Sequence, residues 1–242
     1  MQVEIYNCMH ADIILPVWAL DGVNYERCPS SAMPTYSGGV HRFQLLSIPQ
    51  NTTFFHIAKF FPYPIPRLEN FRQRVLESPL VQETQIGASE LGYPMWVWEI
   101  AKPATLARVG APRIYVHAGI HPSETTSYFV NEGFLEWLLF SGNADVDDLL
   151  NQVVVSVVPM CNPDGVSLGN YRTNSKSANL EIEYRSPYNS VVKETVAIRS
   201  LVERYMGTAS QPGEHPILIL MNLHSTHEDP YPYHFLQEPS YL

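Results

Sequence analysis

The sequence predicts an α/β fold in which a mixed, mostly parallel sheet has helices on both faces and follows a small β-rich segment. Apolar segments rich in Val and Ile alternate along the chain with amphipathic segments of helical period. Several of the apolar segments are continuous, which is typical of strands buried on both faces. The composition, with 45% hydrophobic and 16% charged residues over 242 positions, is that of a globular protein with a sizeable core.

The N-terminal part of the chain differs from the rest. Residues 1–48 are rich in turn formers, as in "CPSSAMPTYSGGV", between short apolar pieces such as "HRFQLLSI", which predicts a β-rich segment. We expect residues 49–242 to form a second, larger domain. Its first part contains "PYPIP", whose three prolines exclude regular structure, and a helix is predicted after it over residues 66–77.

The remaining elements follow from the hydrophobic pattern. "PMWVWEI" alternates as a strand does, whereas "PRIYVHA", "VVVSVVP" and "PILILMNL" are predicted to be buried strands. "TTSYFVNEGFLEWLLF" and "VVKETVAIRSLVERYM" are predicted to be helices. Strand and helix therefore alternate, as in an α/β sheet with both faces covered.

The net charge limits the possible partners, and the cysteine usage indicates the cellular compartment. The formal net charge of −9 argues against nucleic acid or an anionic membrane surface as a partner. The three widely spaced cysteines predict reduced thiols, and the first residues have no basic region typical of a signal peptide. No apolar run reaches the roughly 20 residues of a membrane helix. We therefore expect a cytoplasmic protein, and the oligomeric state stays open.

Polar residues follow three of the predicted strands. His121 and Glu124 come after "RIYVHAGI", "CNPDG" comes after "VVVSVVPM", and His224 comes after "ILILMNL". Reactive groups in open α/β sheets collect beyond the carboxyl ends of the strands, so these residues are expected to meet. Two histidines and one carboxylate form a common ligand set for catalytic zinc.

Each of these residues also has an ordinary structural explanation. Glu124 near a helix N-terminus is favourable without any metal, and a single strand-end histidine such as His224 is most often simply hydrogen-bonded. His117, four residues before His121, is interpreted as a core residue or as a neighbour that tunes the metal. The hypothesis of a zinc site therefore depends on the combination of the three residues.

The segments "HPSETTS", "VVPMCNPDGVSLGNYRTNSKSANL" and "LHS" resemble, in order and spacing, motifs of the zinc carboxypeptidases. They are most similar to the cytosolic carboxypeptidase branch, and the similarity covers roughly residues 52–235. The resemblance implies that His121, Glu124 and His224 bind Zn²⁺. It also implies that Arg172, in "GNYR", stabilises the oxyanion while zinc-activated water cleaves C-terminal residues from peptides or protein tails.

Two features depart from the family pattern. Glu181 and Ile182 occupy the substrate-binding positions where the family has an Asn-Arg pair that grips the terminal carboxylate of the substrate. Neither side chain can form that clamp, because only a planar guanidinium matches a carboxylate through two hydrogen bonds. The general base of the family is a glutamate well beyond the third zinc ligand, and neither Glu228 nor Glu238 lies at that position. We therefore expect the C-terminal part of the catalytic domain to be missing.

Two alternatives to a metallocarboxypeptidase stay open. A zinc amidohydrolase acting on small N-acyl amino acids shares the metal ligands, and the lost clamp leaves room for such a substrate. A catalytically impaired pseudoenzyme that binds peptide tails is the non-enzymatic alternative. The missing base and clamp favour it, whereas the intact ligand set disfavours it.

Overall fold

The computed structural model divides the chain into two compact units. The first comprises the described residues up to Pro62, and the second comprises the described residues from Tyr63 to Ser225. The structure describes residues 2–6, 15–29, 31, 35–44, 48, 49, 51–184, 191–208, 211, 212 and 216–225. The domain boundary expected between residues 48 and 49 stays a prediction.

The first unit is built from short strands. These are β1 (Gln2–Ile5), β2 (Val17–Ala19), β3 (Glu26–Arg27), β4 (Thr35–Ser37), β5 (Val40–Gln44) and β6 (His56–Ala58). They form two three-stranded antiparallel sheets, in the orders β1-β5-β4 and β3-β2-β6. Cys28 and Phe43 lie in the small core of this unit. The predicted β-rich N-terminal segment is confirmed.

The second unit alternates strands and helices. It contains α1 (Ile65–Val75), β7 (Val81–Ala88), β8 (Pro94–Ile100), α2 (Pro103–Leu106), β9 (Arg113–Ala118), α3 (Thr126–Phe140), α4 (Ala144–Leu150), β10 (Val154–Val158), α5 (Pro163–Leu168), a 3-10 helix (Leu180–Tyr184), α6 (Lys193–Met206), β11 (Gly207–Thr208), β12 (Gln211–Pro212) and β13 (Ile217–Leu223). The predicted helices correspond to α1, α3 and α6. No helix in the described ranges is both long and apolar enough to cross a membrane.

The main sheet is mixed, with the strand order β13-β9-β10-β8-β7. Strand β9 pairs in parallel with β13 and β10, whereas β8 pairs antiparallel with β10 and β7. The predicted mixed sheet is confirmed, with its parallel pairings confined to these three strands. Helices cover both faces, because α6 packs in one apolar cluster and α1, α3 and α4 pack in the other.

The burial predicted for β13 is wrong. Leu218, Ile219 and Leu220 are 69%, 51% and 53% exposed. The physical reason is that β13 is an edge strand of the sheet that the described residues form, so only β9 pairs with it. Its last residues, Met221–Leu223, are half-buried, and Met221 and Leu223 pack in the apolar cluster that contains α1, α3 and α4. The end of β13 that leads to His224 is therefore the better anchored one.

Candidate metal centre

The carboxyl ends of β9 and β13 lie side by side. In the parallel register Leu223 pairs with Ala118, so the residues that follow the two strands leave the sheet at one place. Strand β9 continues through Gly119 and Ile120 to His121, and β13 continues directly to His224. This topology brings together residues about 100 positions apart in the sequence.

Gly119 allows the chain to turn out of β9. Its φ is +72°, in the left-handed region that favours glycine. A Cβ atom at this position would lie 2.2 Å from the ring of Tyr128, a buried residue of α3. The close contact between the turn and α3 therefore requires glycine, and it fixes the segment that carries His121 and Glu124.

Local hydrogen bonds hold the turn before α3. The Glu124 backbone N–H donates to the His121 carbonyl at 3.2 Å, and Ser127 Oγ donates to the Glu124 carbonyl at 2.7 Å. Glu124 precedes the first residue of α3, Thr126. The two side chains consequently point to the same side of the turn.

The structure brings His121, Glu124 and His224 into one cluster. One possible ligand atom from each residue lies within 4.8 Å of the other two. Nδ1 of His121 is 2.9 Å from Glu124 Oε1, and Nδ1 of His224 is 2.7 Å from Glu124 Oε2. His121 is buried and the other two are half-buried. The donor set of two imidazoles and one carboxylate suits Zn²⁺.

The charges in the cluster follow from the same contacts. Burial raises the pKa of Glu124, but hydrogen bonds from His121 and His224 outweigh it and lower the pKa to about 2. Burial lowers the pKa of His224, but the carboxylates of Glu124 and Glu181 outweigh it and raise the pKa to about 9. Glu124 is therefore ionised at neutral pH, as a metal ligand must be.

Arg172 lies beside the cluster. Its Nη1 is 3.4 Å from Glu124 Oε1 and its Nη2 is 2.9 Å from His121 Nε2. The loop that carries it is held by Asn170, whose side-chain amide donates to the carbonyls of Thr173 and Asn174 at 3.1 Å. The guanidinium is half-exposed, so it borders both the cluster and solvent.

The segment "CNPDG" anchors this region rather than entering the cluster. The Asn162 side chain donates to the Ile120 carbonyl at 3.2 Å and accepts from the Gly165 N–H at 2.9 Å, which caps α5. Buried Asp164 accepts hydrogen bonds from the Leu91 N–H and from Ser175 Oγ. These contacts tie the end of β10 to the turn after β9 and to the loop that carries Arg172.

The two residues that depart from the family pattern lie on the 3-10 helix. Glu181 Oε2 is 3.2 Å from His224 Nε2, so this carboxylate reaches the cluster from outside. Ile182 is 44% exposed. Sequence reasoning did not identify Asn179, whose Oδ1 lies 3.1 Å from His121 Nε2, because an isolated asparagine carries no pattern.

The other candidate residues do not belong to the cluster that the described residues form. His117 is buried and lies outside the cluster of three, and burial lowers its pKa to about 4. The interpretation of His117 as a core residue or as a neighbour that tunes the metal stays a prediction, and a buried position in β9 is compatible with both. His227, Glu228 and Glu238 lie outside the described residues.

Comparison of the sequence with family models identifies the family of this chain. The family model described as zinc carboxypeptidase matches residues 69–190, which is half of the chain. The chain belongs to the zinc carboxypeptidase family. The matched range includes His121, Glu124 and Arg172, and the predicted family membership is confirmed.

Curated relatives point to the cytosolic branch of the zinc carboxypeptidases. Cytosolic carboxypeptidase 2 of Danio rerio is 30% identical over 167 residues, covering 66% of this chain and 23% of the relative. Cytosolic carboxypeptidase 2 of Homo sapiens is 30% identical over 143 residues, covering 57% of this chain and 16% of the relative. The match thus spans less than a quarter of either relative.

A solved structure shares the fold of this zinc carboxypeptidase. The crystal structure of a metallo-carboxypeptidase from Burkholderia cenocepacia aligns with a TM-score of 0.77 at 24% identity. The alignment covers 95% of this chain and 58% of that chain. The predicted fold class is therefore confirmed, and the chain spans little more than half of that structure.

Proposed function

We propose that this chain supplies the metal centre of a zinc-dependent metallocarboxypeptidase that removes C-terminal residues from peptides or protein tails in the cytoplasm. The observation that supports the proposal most strongly is the convergence of His121, Glu124 and His224 within 4.8 Å. Membership of the zinc carboxypeptidase family supports the enzyme class. The cytoplasmic location is inferred from the names of the curated relatives.

The chemistry of the donor set fits zinc. We infer that Nδ1 of His121, Nδ1 of His224 and the Glu124 carboxylate would hold the ion, since both Nδ1 atoms face that carboxylate. Bound zinc supplies Lewis acidity, which polarises a carbonyl group and makes water a better nucleophile. The Ser225 N–H donates to Glu124 Oε2 at 3.1 Å and helps to fix the carboxylate in place.

Arg172 is proposed to act on the scissile carbonyl of the substrate. Its guanidinium lies next to both Glu124 and His121, so a carbonyl oxygen brought to the cluster would accept its N–H groups. Negative charge develops on that oxygen only in the transition state, and a fixed donor at that place lowers the barrier. The partial exposure of Arg172 leaves room for a peptide to approach.

Replacement of Arg172 with alanine is expected to lower kcat by about 100- to 1,000-fold, as does loss of an oxyanion donor in other hydrolases. Steady-state kinetics on a chromogenic peptide measure the effect. Arg199→Ala, which removes an exposed arginine of α6, is the matched control and should leave kcat unchanged. If both variants keep the wild-type kcat, Arg172 has no role in the reaction.

Glu181 and Ile182 are proposed to border the substrate. Glu181 brings negative charge beside His224, and Ile182 presents an exposed aliphatic side chain on the same 3-10 helix. A free terminal carboxylate finds no partner in either side chain. We infer that the enzyme binds the terminal carboxylate of its substrate weakly.

A substitution that adds a guanidinium tests this inference. Ile182→Arg is expected to lower KM for peptides with a free C-terminus about tenfold, because a charge-assisted hydrogen bond contributes roughly 1.5–3 kcal/mol. The same substrates with an amidated C-terminus serve as the control and should show no gain. An equal decrease in KM for the free and the amidated peptides would contradict a clamp at position 182.

Proton transfer needs a carboxylate whose identity is open. Among the described residues, Glu181 is the carboxylate that contacts the cluster from outside, and it forms an ion pair with His224, which is hydrogen-bonded to Glu124 within the cluster. We expect the general base to come from outside the described residues. The lost clamp at Glu181 and Ile182 favours a second candidate function, a catalytically impaired protein that binds peptide tails.

A C-terminally randomised peptide library distinguishes the two functions. Zinc-loaded protein should release C-terminal residues, detected by mass spectrometry, and the chelator-treated protein should release none. N-acyl amino acids are assayed separately, and their hydrolysis without any release of residues from peptides would instead support an amidohydrolase. Zinc binding and peptide binding without any release would identify the impaired binding protein.

A further inference from the structure

The outer nitrogens of the two cluster histidines are both held by one short segment. His121 Nε2 lies 3.1 Å from Asn179 Oδ1, and His224 Nε2 lies 3.2 Å from Glu181 Oε2. The Glu181 N–H donates to Asn179 Oδ1 at 3.1 Å, which links the two acceptors. The segment therefore faces both imidazoles from the side opposite Glu124.

We infer that Glu181 is a positioning residue of the metal centre, whose carboxylate pairs with Nε2 of His224 and so holds Nδ1 of that ring towards the ion. This inference rests on the proposed zinc site. A histidine that binds a metal through one ring nitrogen almost always donates its other N–H to a carboxylate, a carbonyl or water, which fixes the orientation of the ring. Nδ1 of His224 is the nitrogen that faces Glu124, at 2.7 Å.

Asn222 supports Glu181 in this role. Its Nδ2 lies 3.4 Å from Glu181 Oε1 and 3.2 Å from Oε2, so the amide can donate to the carboxylate. Asn222 belongs to β13, two residues before His224, and pairs in register with His117 of β9. The sheet thus orients both the ligand and the carboxylate that holds it.

The two acceptors differ in charge, which makes Glu181 the more effective of the two. Asn179 offers only a neutral amide oxygen beside His121 Nε2, which Arg172 Nη2 also approaches at 2.9 Å, whereas Glu181 offers an anionic oxygen to His224. Carboxylates that accept from a ligating histidine fix its orientation and raise its basicity, and their loss typically weakens metal binding by 10- to 100-fold. Glu181, which stands where the family has the asparagine of its Asn-Arg pair, therefore acts on the metal centre and not on the terminal carboxylate of the substrate.

Zinc affinity measured by competition with a chromophoric chelator tests the inference without relying on activity. Glu181→Ala is expected to bind zinc about 10- to 100-fold more weakly than the wild type. Glu181→Gln, which keeps an acceptor but loses the charge, should fall between the two. Glu183→Gln is the matched control, because Glu183 lies on the same 3-10 helix but outside the metal cluster found among the described residues.

Replacement of zinc by cobalt provides a second, spectroscopic test of the positioning role of Glu181. The visible absorption of the Co²⁺-loaded protein reports ligand geometry, and it should change in Glu181→Ala but not in Glu183→Gln. Wild-type zinc affinity and an unchanged cobalt spectrum in Glu181→Ala would overturn the positioning role while leaving the proposed zinc site in place. A wild-type protein that binds neither metal would overturn the zinc site itself, and the inference with it.

Discussion

Replacement of Glu124 with alanine is expected to weaken zinc binding severely and to abolish peptide cleavage. Glu124 is the centre of the cluster, since each of its two oxygens contacts one histidine. Without it two imidazoles remain, and the affinity for zinc should fall on the order of 1,000-fold if each ligand contributes a comparable share of the binding free energy. Equilibrium dialysis against zinc and peptide release by mass spectrometry measure the two losses.

Two further variants make this prediction specific. Glu183→Ala removes a glutamate of the nearby 3-10 helix and should keep both the zinc affinity and the cleavage rate of the wild type. Glu124→Gln retains the shape of the side chain but not its charge, and it should lose zinc as Glu124→Ala does. Wild-type zinc affinity in both Glu124 variants would refute the proposed ligand set.

The sequence predicts those elements whose hydrophobic pattern is strong. The strands β8, β9 and β10 and the helices α1, α3 and α6 were all expected, because their apolar residues recur with a strand or helix period. Strand β7 was not expected, because "VQETQIGA" is polar and no residue in it is buried. Helices α4 and α5 span 7 and 6 residues, too few for a periodic pattern to show.

The cluster of His121, Glu124 and His224 could be predicted because each of the three residues follows a predicted strand within a family motif. The hydrogen-bond partners of these three residues could not be predicted. Asn179 lies 58 residues from His121, and Glu181 and Asn222 meet only because the 3-10 helix packs beside the end of β13. Contacts of this kind depend on tertiary packing, and neither amide nor carboxylate residues leave a periodic signal in the sequence.

The predicted burial of β13 shows a different limit of the sequence pattern. A continuous apolar run indicates a strand that can be covered on both faces, but it does not say which elements cover it. Leu218 and Leu220 are both more than half exposed in the sheet formed by the described residues. The pattern therefore predicted the strand correctly and its environment wrongly.

Replacement of Glu99 with alanine is expected to destabilise the second unit strongly. Arg113 of β9 is fully buried, and its Nη1 lies 2.8 Å from Glu99 Oε1 on β8. The guanidinium also packs over the ring of Tyr205, with its carbon 3.5 Å from the ring centroid. Loss of Glu99 would leave a buried, uncompensated positive charge, which typically costs about 3–5 kcal/mol.

Thermal unfolding of the Glu99 variants measures this cost. A loss of this size corresponds to a decrease in Tm of about 10 °C for a chain of this length. Glu203→Ala, which breaks an exposed Arg199–Glu203 pair on α6, is the control and should shift Tm by less than about 2 °C. A Tm for Glu99→Ala within that same margin would contradict the importance of the pair.

The double variant Glu99→Leu/Arg113→Met separates the cost of an unpaired charge from the contribution of the pair itself. Burying two charges carries a desolvation penalty that their attraction only partly offsets, so apolar side chains of similar volume can replace such a pair with little loss. The double variant should therefore be more stable than Glu99→Ala, with a Tm close to that of the wild type. A double variant as unstable as Glu99→Ala would show instead that the network with Tyr205, whose hydroxyl donates to Glu99 at 3.0 Å, stabilises the fold directly.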